Sequence, residues 1–325
     1  MKKQTLLFLL FYSLVGHIAL YGQEKSFAIK WIGEYSSTKD LKKEESLSGK
    51  VYNFIFGEEI KKIIRPISLF TANGSEFWIV DQGSRKIVHI DTVDGKFEYF
   101  HSEKNPFYSP LGICEFTENR LLISDSQLDK ILVFNTVTGV FYNLNDTLRL
   151  QRPTGIAFNK VTGQIWVAET AKHRLLVLDS DGKIVKMFGK RGLGAGEFNF
   201  PTFIWIDKSG TVYVVDSMNF RIQILNAEGR VQNVFGEIGD ASGYFSRPKG
   251  IATDSEGHIY VADALFHAVQ IFNQEGDLLY YFGTQGKGPG QFWLPTGLFI
   301  DEKDRIYVAD SYNSRIQIFK LIKKE

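Results

Sequence analysis

The sequence holds a single cysteine, Cys114, among 325 residues. An intramolecular disulfide is excluded, and so is any metal site built on several cysteines. Cys114 lies in the apolar run Leu111-Gly112-Ile113-Cys114, the setting of a small core residue rather than of an activated thiol. An excess of either charge is also missing. Lys and Arg number 38 and Asp and Glu 37, a formal net charge of +1. Such a chain has no overall field to draw nucleic acid or anionic lipid non-specifically. No Gly-x-Ser-x-Gly elbow occurs, so the usual sign of a serine nucleophile on an α/β scaffold is absent. The histidines beyond the N-terminal region are His89, His101, His173, His258 and His267, widely scattered.

What is present begins with an export-like leader. Lys2 and Lys3 precede an apolar run over 6–20, and Gly22 offers a small residue before Gln23 and Glu24. This is the pattern of a cleavable signal peptide over 1–22. The run is short for a membrane span, and no cysteine near the cut would carry a lipid anchor. The expected location is periplasmic or extracellular, with no membrane span after cleavage. Residues 23–48 read as an N-terminal segment or linker. Phe27-Ala28-Ile29-Lys30-Trp31-Ile32 has strand character, and 38–46 is dense in charge.

From residue 49 the chain repeats. An acidic residue ends a β-rich run at Asp81, Asp125, Glu169, Asp216, Asp263 and Asp310, at spacings of 44, 44, 47, 47 and 47. A proline opens another apolar run at Pro66, Pro110, Pro153, Pro201, Pro248 and Pro295. A fixed period in the forties marks a repeat architecture. Each period divides into four short strands, the first two joined by turns such as Asp254-Ser255-Glu256-Gly257. Four antiparallel strands per repeat make a propeller blade, and six periods make six blades over 49–320. The last period lacks a fourth strand. The segment 51–56 (Val-Tyr-Asn-Phe-Ile-Phe) resembles the fourth strands that follow Gly182, Gly229 and Gly276. It is expected to complete the C-terminal blade and close the ring, leaving 321–325 as a tail. The fold class is therefore all-β, a six-bladed propeller of four-stranded antiparallel blades.

The residues Pro295-Thr296-Gly297-Leu298, Ile306-Tyr307-Val308-Ala309-Asp310, Asn313 and Arg315-Ile316-Gln317-Ile318-Phe319, with the glycine- and phenylalanine-bearing linkers 189–198 and 283–292, resemble NHL repeats. The resemblance covers about 50–320 and is strongest in the fourth and sixth repeats. It implies a propeller whose relatives include RNA- and protein-binding modules, bacterial extracellular sensor domains and a zinc-dependent amidating lyase. Fold alone does not choose among these.

The acidic ring has a structural explanation. A basic residue follows five positions later in five repeats, at Lys86, Lys130, Arg174, Arg221 and Arg315, so the pairs are expected to hold one turn each. The lyase resemblance implies histidines after the opening prolines. Those positions hold Ile67, Leu111, Thr154, Thr202, Lys249 and Thr296, so no zinc set is expected there. Ser217 and Ser311 belong to the repeated turn. No metal, cofactor or catalytic residue is assigned. A metal-dependent, lactonase-like hydrolase or lyase with its site in the channel is the competing class, and an extracytoplasmic sensor component is a third. Arg65, Arg152, Arg247 and Lys249 flank the proline turns and suggest a basic collar, a surface for an anionic ligand or a partner rather than for nucleic acid.

The most informative break is in the fifth repeat. Where the fourth and sixth read Asp-Ser-x-Asn-x-Arg, it reads Asp263-Ala264-Leu265-Phe266-His267-Ala268. Asp263 loses its basic partner, and an apolar turn replaces a polar one. With Met218, Phe220 and Tyr312 on neighbouring turns, this predicts a binding patch. The expected ligand contacts are Phe220, Leu265, Phe266, His267 and Tyr312, with Arg247 and Lys249 as a polar rim. The partner would be a protein, peptide or small molecule held by a monomeric propeller.

Overall fold

A computed structural model describes residues 27–41, 60–102 and 106–323. It contains six four-stranded antiparallel sheets. Blade 1 comprises Pro66–Phe70, Glu76–Asp81, Lys86–Asp91 and Lys96–Phe100. Blade 2 comprises Pro110–Thr117, Arg120–Asp125, Lys130–Asn135 and a short Phe141–Asn143. Blade 3 runs through Pro153–Asn159, Gln164–Glu169, Arg174–Leu178 and Ile184–Phe188. Blade 4 runs through Pro201–Ile206, Val212–Asp216, Arg221–Leu225 and Val231–Phe235. Blade 5 is Pro248–Thr253, Ile259–Asp263, Ala268–Phe272 and Leu278–Phe282. Blade 6 takes Leu298–Ile300, Arg305–Asp310 and Arg315–Lys323 from the C-terminal region.

The ring closes with an N-terminal strand, as the missing fourth strand required. The strand is Phe27–Tyr35, which pairs antiparallel with Arg315–Lys323 from Phe27↔Lys323 to Tyr35↔Ile316. The segment 51–56, expected in this place from its sequence, lies outside the described residues. Its expected position is occupied by residues of the 23–48 segment. The last strand also continues to Lys323, past the expected boundary at 320. The physical reason is visible in Phe27–Tyr35: Trp31 and Ile29 pack against the blade 5–6 core and Tyr35 against the blade 6–1 core. A bulge between Trp31 and Gly33 keeps both ends in register. Glu34 then accepts a 2.7 Å bond from Arg315 Nη1.

The cores lie between blades. Second and third strands are almost wholly buried (Ile165, Trp166, Val167 and Ala168 in blade 3; Ile259, Tyr260, Val261 and Ala262 in blade 5), because neighbouring sheets cover both faces. Fourth strands such as Ile184–Phe188 are largely exposed. Among the described residues no helix is long and apolar enough to cross a membrane. The signal-peptide segment 1–22 lies outside the described residues.

Candidate functional site

The register brings three sequence signals to one face. In blades 1–5 the opening proline faces the acidic residue across the first pair of strands, as in Pro201↔Asp216 and Pro248↔Asp263. The acid in turn faces the residue five positions on, as in Asp216↔Arg221 and Asp263↔Ala268. This end of the ring carries the turns between second and third strands and is called the turn face below.

The acids are buried and structural, but their main partner is the backbone. Asp81 accepts from Ile64 N and Arg65 N at 3.0 and 2.6 Å, and Asp125 from Tyr108, Ser109, Gln127 and Leu128 N. Each thereby ties the chain entering a blade to that blade's own turn. Ion pairs with the residue five positions on form at Glu169–Arg174, Asp216–Arg221 and Asp310–Arg315. The expected pairs at Lys86 and Lys130 do not form. Lys86 instead lies over the Tyr99 ring, 4.7 Å from its centroid. Asp81 and Asp125 are already saturated by N–H and hydroxyl donors, which removes the drive for a buried ion pair.

In blades 4 and 6 the arginine also laces the entering linker. Arg221 donates to the carbonyls of Leu193, Gly194 and Glu197, and Arg315 to those of Gly288 and Gln291. Asn219 and Asn313 donate to Gly192 O and Gly286 O. Blade 5 has Ala268 and Phe266 at these places. Its linker, 236–245, keeps the bonds of Gln270 to Gly243 N and Tyr244 O. Asp263 is left with four backbone donors, Ser246, Arg247, Leu265 and Phe266, and burial pushes its carboxyl above the ordinary aspartate value.

The residues expected to bind a ligand divide by exposure. Leu265 and Tyr312 stand out, 49% and 54% exposed, beside Met218 at 54%. Trp293, 40% exposed, lies 6.5 Å from Tyr312. Phe266 is half-buried, and Phe220 packs partly into the blade 4–5 core, so the patch is narrower than five residues. His267 is structural, since its Nδ1 accepts from Leu294 N at 3.1 Å in the chain entering blade 6. His173 does the same for Phe200 N, and Asp129 for Arg152 N. These residues share the left-handed position of the turn, with φ of 53°, 54° and 56°. The signal was in the sequence: His173 and His267 are 94 residues apart, two full periods.

At the residue after the opening proline, blades 3, 4 and 6 carry threonines engaged in hydroxyl bonds. Thr154 donates to Thr202 O at 2.8 Å, Thr202 meets Ser217 at 2.5 Å, and Thr296 meets Ser311 at 2.6 Å. Blade 5 has Lys249 here and Ala264 opposite. Its link to blade 6 is made by the backbone, Gly250 N to Thr296 O at 2.7 Å. The Lys249 ammonium has no hydrogen bond or ion pair among the described residues. Burial, and then the nearby Arg247 guanidinium, push its pKa down to about 8, with Asp263 opposing. Arg247 is exposed and its guanidinium is likewise unpaired among the described residues.

Below this level aromatic side chains of the inner strands meet across the ring. Trp205 of blade 4 and Phe70 of blade 1 both meet Phe299 of blade 6 edge-on, at 5.5 and 5.7 Å between ring centroids. Trp205 Nε1 donates to Thr253 across the small Ala252 of blade 5. Among the described residues no three or more His, Cys, Asp or Glu side chains gather as a metal-binding group. Cys114 is half-buried and packs against the blade 2–3 core, and burial raises its pKa. A separate cleft of about 420 Å³ opens at the blade 2–3 junction, between Leu128, Lys130 and Ile131 and the linker residues Asp146, Leu148 and Arg149.

A family model described as 6-bladed beta-propeller matches residues 144–230 and 246–324, just over half of the chain. No curated protein matches the sequence. Solved structures with the same architecture include virginiamycin B lyase from Staphylococcus aureus, at 16% identity and a TM-score of 0.59, covering 91% of this chain and 100% of that one. An auxiliary nutrient binding protein from Bacteroides thetaiotaomicron aligns at 15% identity and a TM-score of 0.65, covering 82% and 71%. Another from Bacteroides ovatus aligns at 14% and 0.62, covering 80% and 69%. At these identities the likeness is one of fold.

Proposed function

The chain belongs to the 6-bladed beta-propeller family, and from that premise we propose that it is an exported, NHL-type binding module that holds a protein, peptide or small ligand on its turn face. The observation that carries this reading is the local failure of the repeat in blade 5. There Asn, Arg, Ser and Thr of the neighbouring blades give way to Phe266, Ala268, Ala264 and Lys249. The exchange removes bonds that elsewhere hold the linker, and it leaves Lys249 and Arg247 without a pairing anion among the described residues, in the blade whose turn exposes Leu265. A protein that breaks its own local rules without a structural return marks a functional site. Two of the structural neighbours are auxiliary nutrient binding proteins, which agrees with a binding role. The leader over 1–22 agrees with export.

The contacts assigned are Leu265, Tyr312 and Met218 as the apolar element and Arg247 and Lys249 as the polar one, with Phe220 and Phe266 supporting them from below. The test is a pull-down from the native cell envelope with wild type and with the double variant Leu265→Ser, Met218→Ser. Both side chains are half exposed, so the variant retains the fold. Loss of the recovered partner supports the reading, and unchanged recovery overturns it.

A further inference from the structure

Resting on the turn-face reading, we propose that Lys249 and Arg247 form the seat of a compact anionic group, a carboxylate or phosphate carried by the ligand.

A buried cation needs compensation. Taking an ammonium from water is costly unless an anion or several acceptors replace the lost hydration. Lys249 sits at the ring position that three other blades fill with a threonine whose hydroxyl is bonded to its neighbours. In blade 5 that inter-blade bond is supplied by Gly250 N instead, so nothing ties the Lys249 side chain to the ring. It makes no hydrogen bond or ion pair among the described residues.

The nearby anion does not serve. Asp263 is buried, and both its oxygens are taken by the N–H groups of Ser246, Arg247, Leu265 and Phe266. It makes no ion pair with Lys249. The nearest like charge, Arg247, adds repulsion. Lys249, half-buried, and Arg247, exposed, stand two positions apart on either side of Pro248, each without a pairing anion among the described residues. An incoming carboxylate or phosphate would relieve both at once, by charge-assisted bonds of the strong kind.

The surroundings set the size and the direction of approach. The aromatic group Trp205, Phe299 and Phe70 lies across the ring beneath, so the turn face is the open approach proposed for the anion. The hydroxyl pairs Thr202–Ser217 and Thr296–Ser311 are bonded to each other and leave no free arm for a large polyanion. Ala264 stands where the neighbouring blades have Ser217 and Ser311, so no hydroxyl is offered to the Lys249 position. The ligand therefore enters from the turn face, anion first, with its remaining body against Leu265, Met218 and Tyr312.

The experiment measures thermal unfolding of the whole protein with inorganic phosphate and, separately, acetate, each at constant ionic strength against sodium chloride. Three proteins are compared: wild type, Lys249→Met, which keeps the stem and removes the charge, and Leu265→Ser with Met218→Ser. At a hundredfold excess over Kd the folding constant of wild type should rise about a hundredfold, with saturation. Lys249→Met should show no such rise, and the double variant should retain it. A saturable effect of phosphate alone assigns a phosphoryl group, and of acetate alone a carboxylate. No saturable rise in wild type, or an equal rise in Lys249→Met, overturns the seat. The two readings fail separately. Anion binding with partner recovery untouched by the double variant leaves the seat and sinks the wider face. Partner loss in that variant with no anion effect does the reverse.

Discussion

Replacing Lys249 by methionine should make the protein more stable at neutral pH, and the gain should vanish in alkali. Methionine retains most of the stem packing, so the change reports the charge. A pKa lowered from the 10.5 of a free lysine to about 8 corresponds to about 3 kcal/mol of disfavoured charging. Part of the side chain reaches water, so this is an upper bound. For a domain of this size it amounts to a rise in Tm of at most about 5 °C. The folded pKa lies below the unfolded one, so between about pH 8 and 10.5 the unfolded chain binds more protons. Wild-type stability therefore rises with pH across that window relative to the variant, and by about pH 10 the gap should fall below about 1 kcal/mol. Urea unfolding of both proteins at pH 7 and pH 10 measures the gap directly. A variant no more stable at pH 7, or a gap independent of pH, would refute the picture of a buried, unpartnered ammonium.

Arg315→Ala should cost about 3 kcal/mol, because it removes the one cation paired with the buried Asp310 carboxylate, which keeps Trp293 N, Asn313 and Gln317 as donors, and it takes a donor from Gly288 O and Gln291 O; chemical denaturation checks this. Arg174→Ala removes a partly exposed arginine and should cost less. Deleting residues 1–36 removes the edge strand Phe27–Tyr35 with Ile29, Trp31 and Tyr35, a loss of roughly 5 kcal/mol of apolar burial alone. Limited proteolysis should then begin in Arg315–Lys323, and a resistant truncated protein would contradict the closure. His173 Nδ1 accepts a backbone bond, and burial, followed by Arg191, lowers its pKa. Its stabilising bond is intact above the ordinary histidine value and lost as pH falls through the lower, folded one. Wild type should accordingly lose its stability advantage over His173→Ala on acidification below the ordinary histidine value, as measured by melting at successive pH values.

The blades were legible because their signals are local and repeated. Asp-to-Asp spacing, turn glycines and prolines mark every second strand without knowledge of any contact. Closure was legible as a vacancy but not as an occupant. Residues 51–56 share the glycine-strand-glycine pattern of the fourth strands, whereas Phe27–Tyr35 carries a bulge and a charged Lys30 and Glu34 that blur its alternation. The role of the acids was half legible. Arginine partners are visible in sequence, but the N–H groups of Ile64, Arg65, Tyr108 and Ser109 bear no side-chain signature. For the same reason the isolation of Lys249 was hidden. It follows from how completely Asp263 is used by backbone donors, and from a carbonyl of blade 6 being taken by Gly250. The outward stance of Leu265 and the inward lean of Phe220 depend on a left-handed turn residue, which pattern alone does not resolve.

The pairing Phe27↔Lys323 also orders events in time. A strand synthesised ahead of all five other blades belongs to the blade that is completed last, and almost the whole ring separates the two in sequence. Until Arg315–Lys323 is available, Phe27–Tyr35 has no sheet to join, and its Trp31 and Ile29 remain uncovered. Five blades can assemble earlier from contacts within about fifty residues, but the ring stays an open arc. Long-range closure of this kind is slow compared with hairpin formation. The half-finished arc therefore has a lifetime, during which its two end blades present bare inter-blade faces.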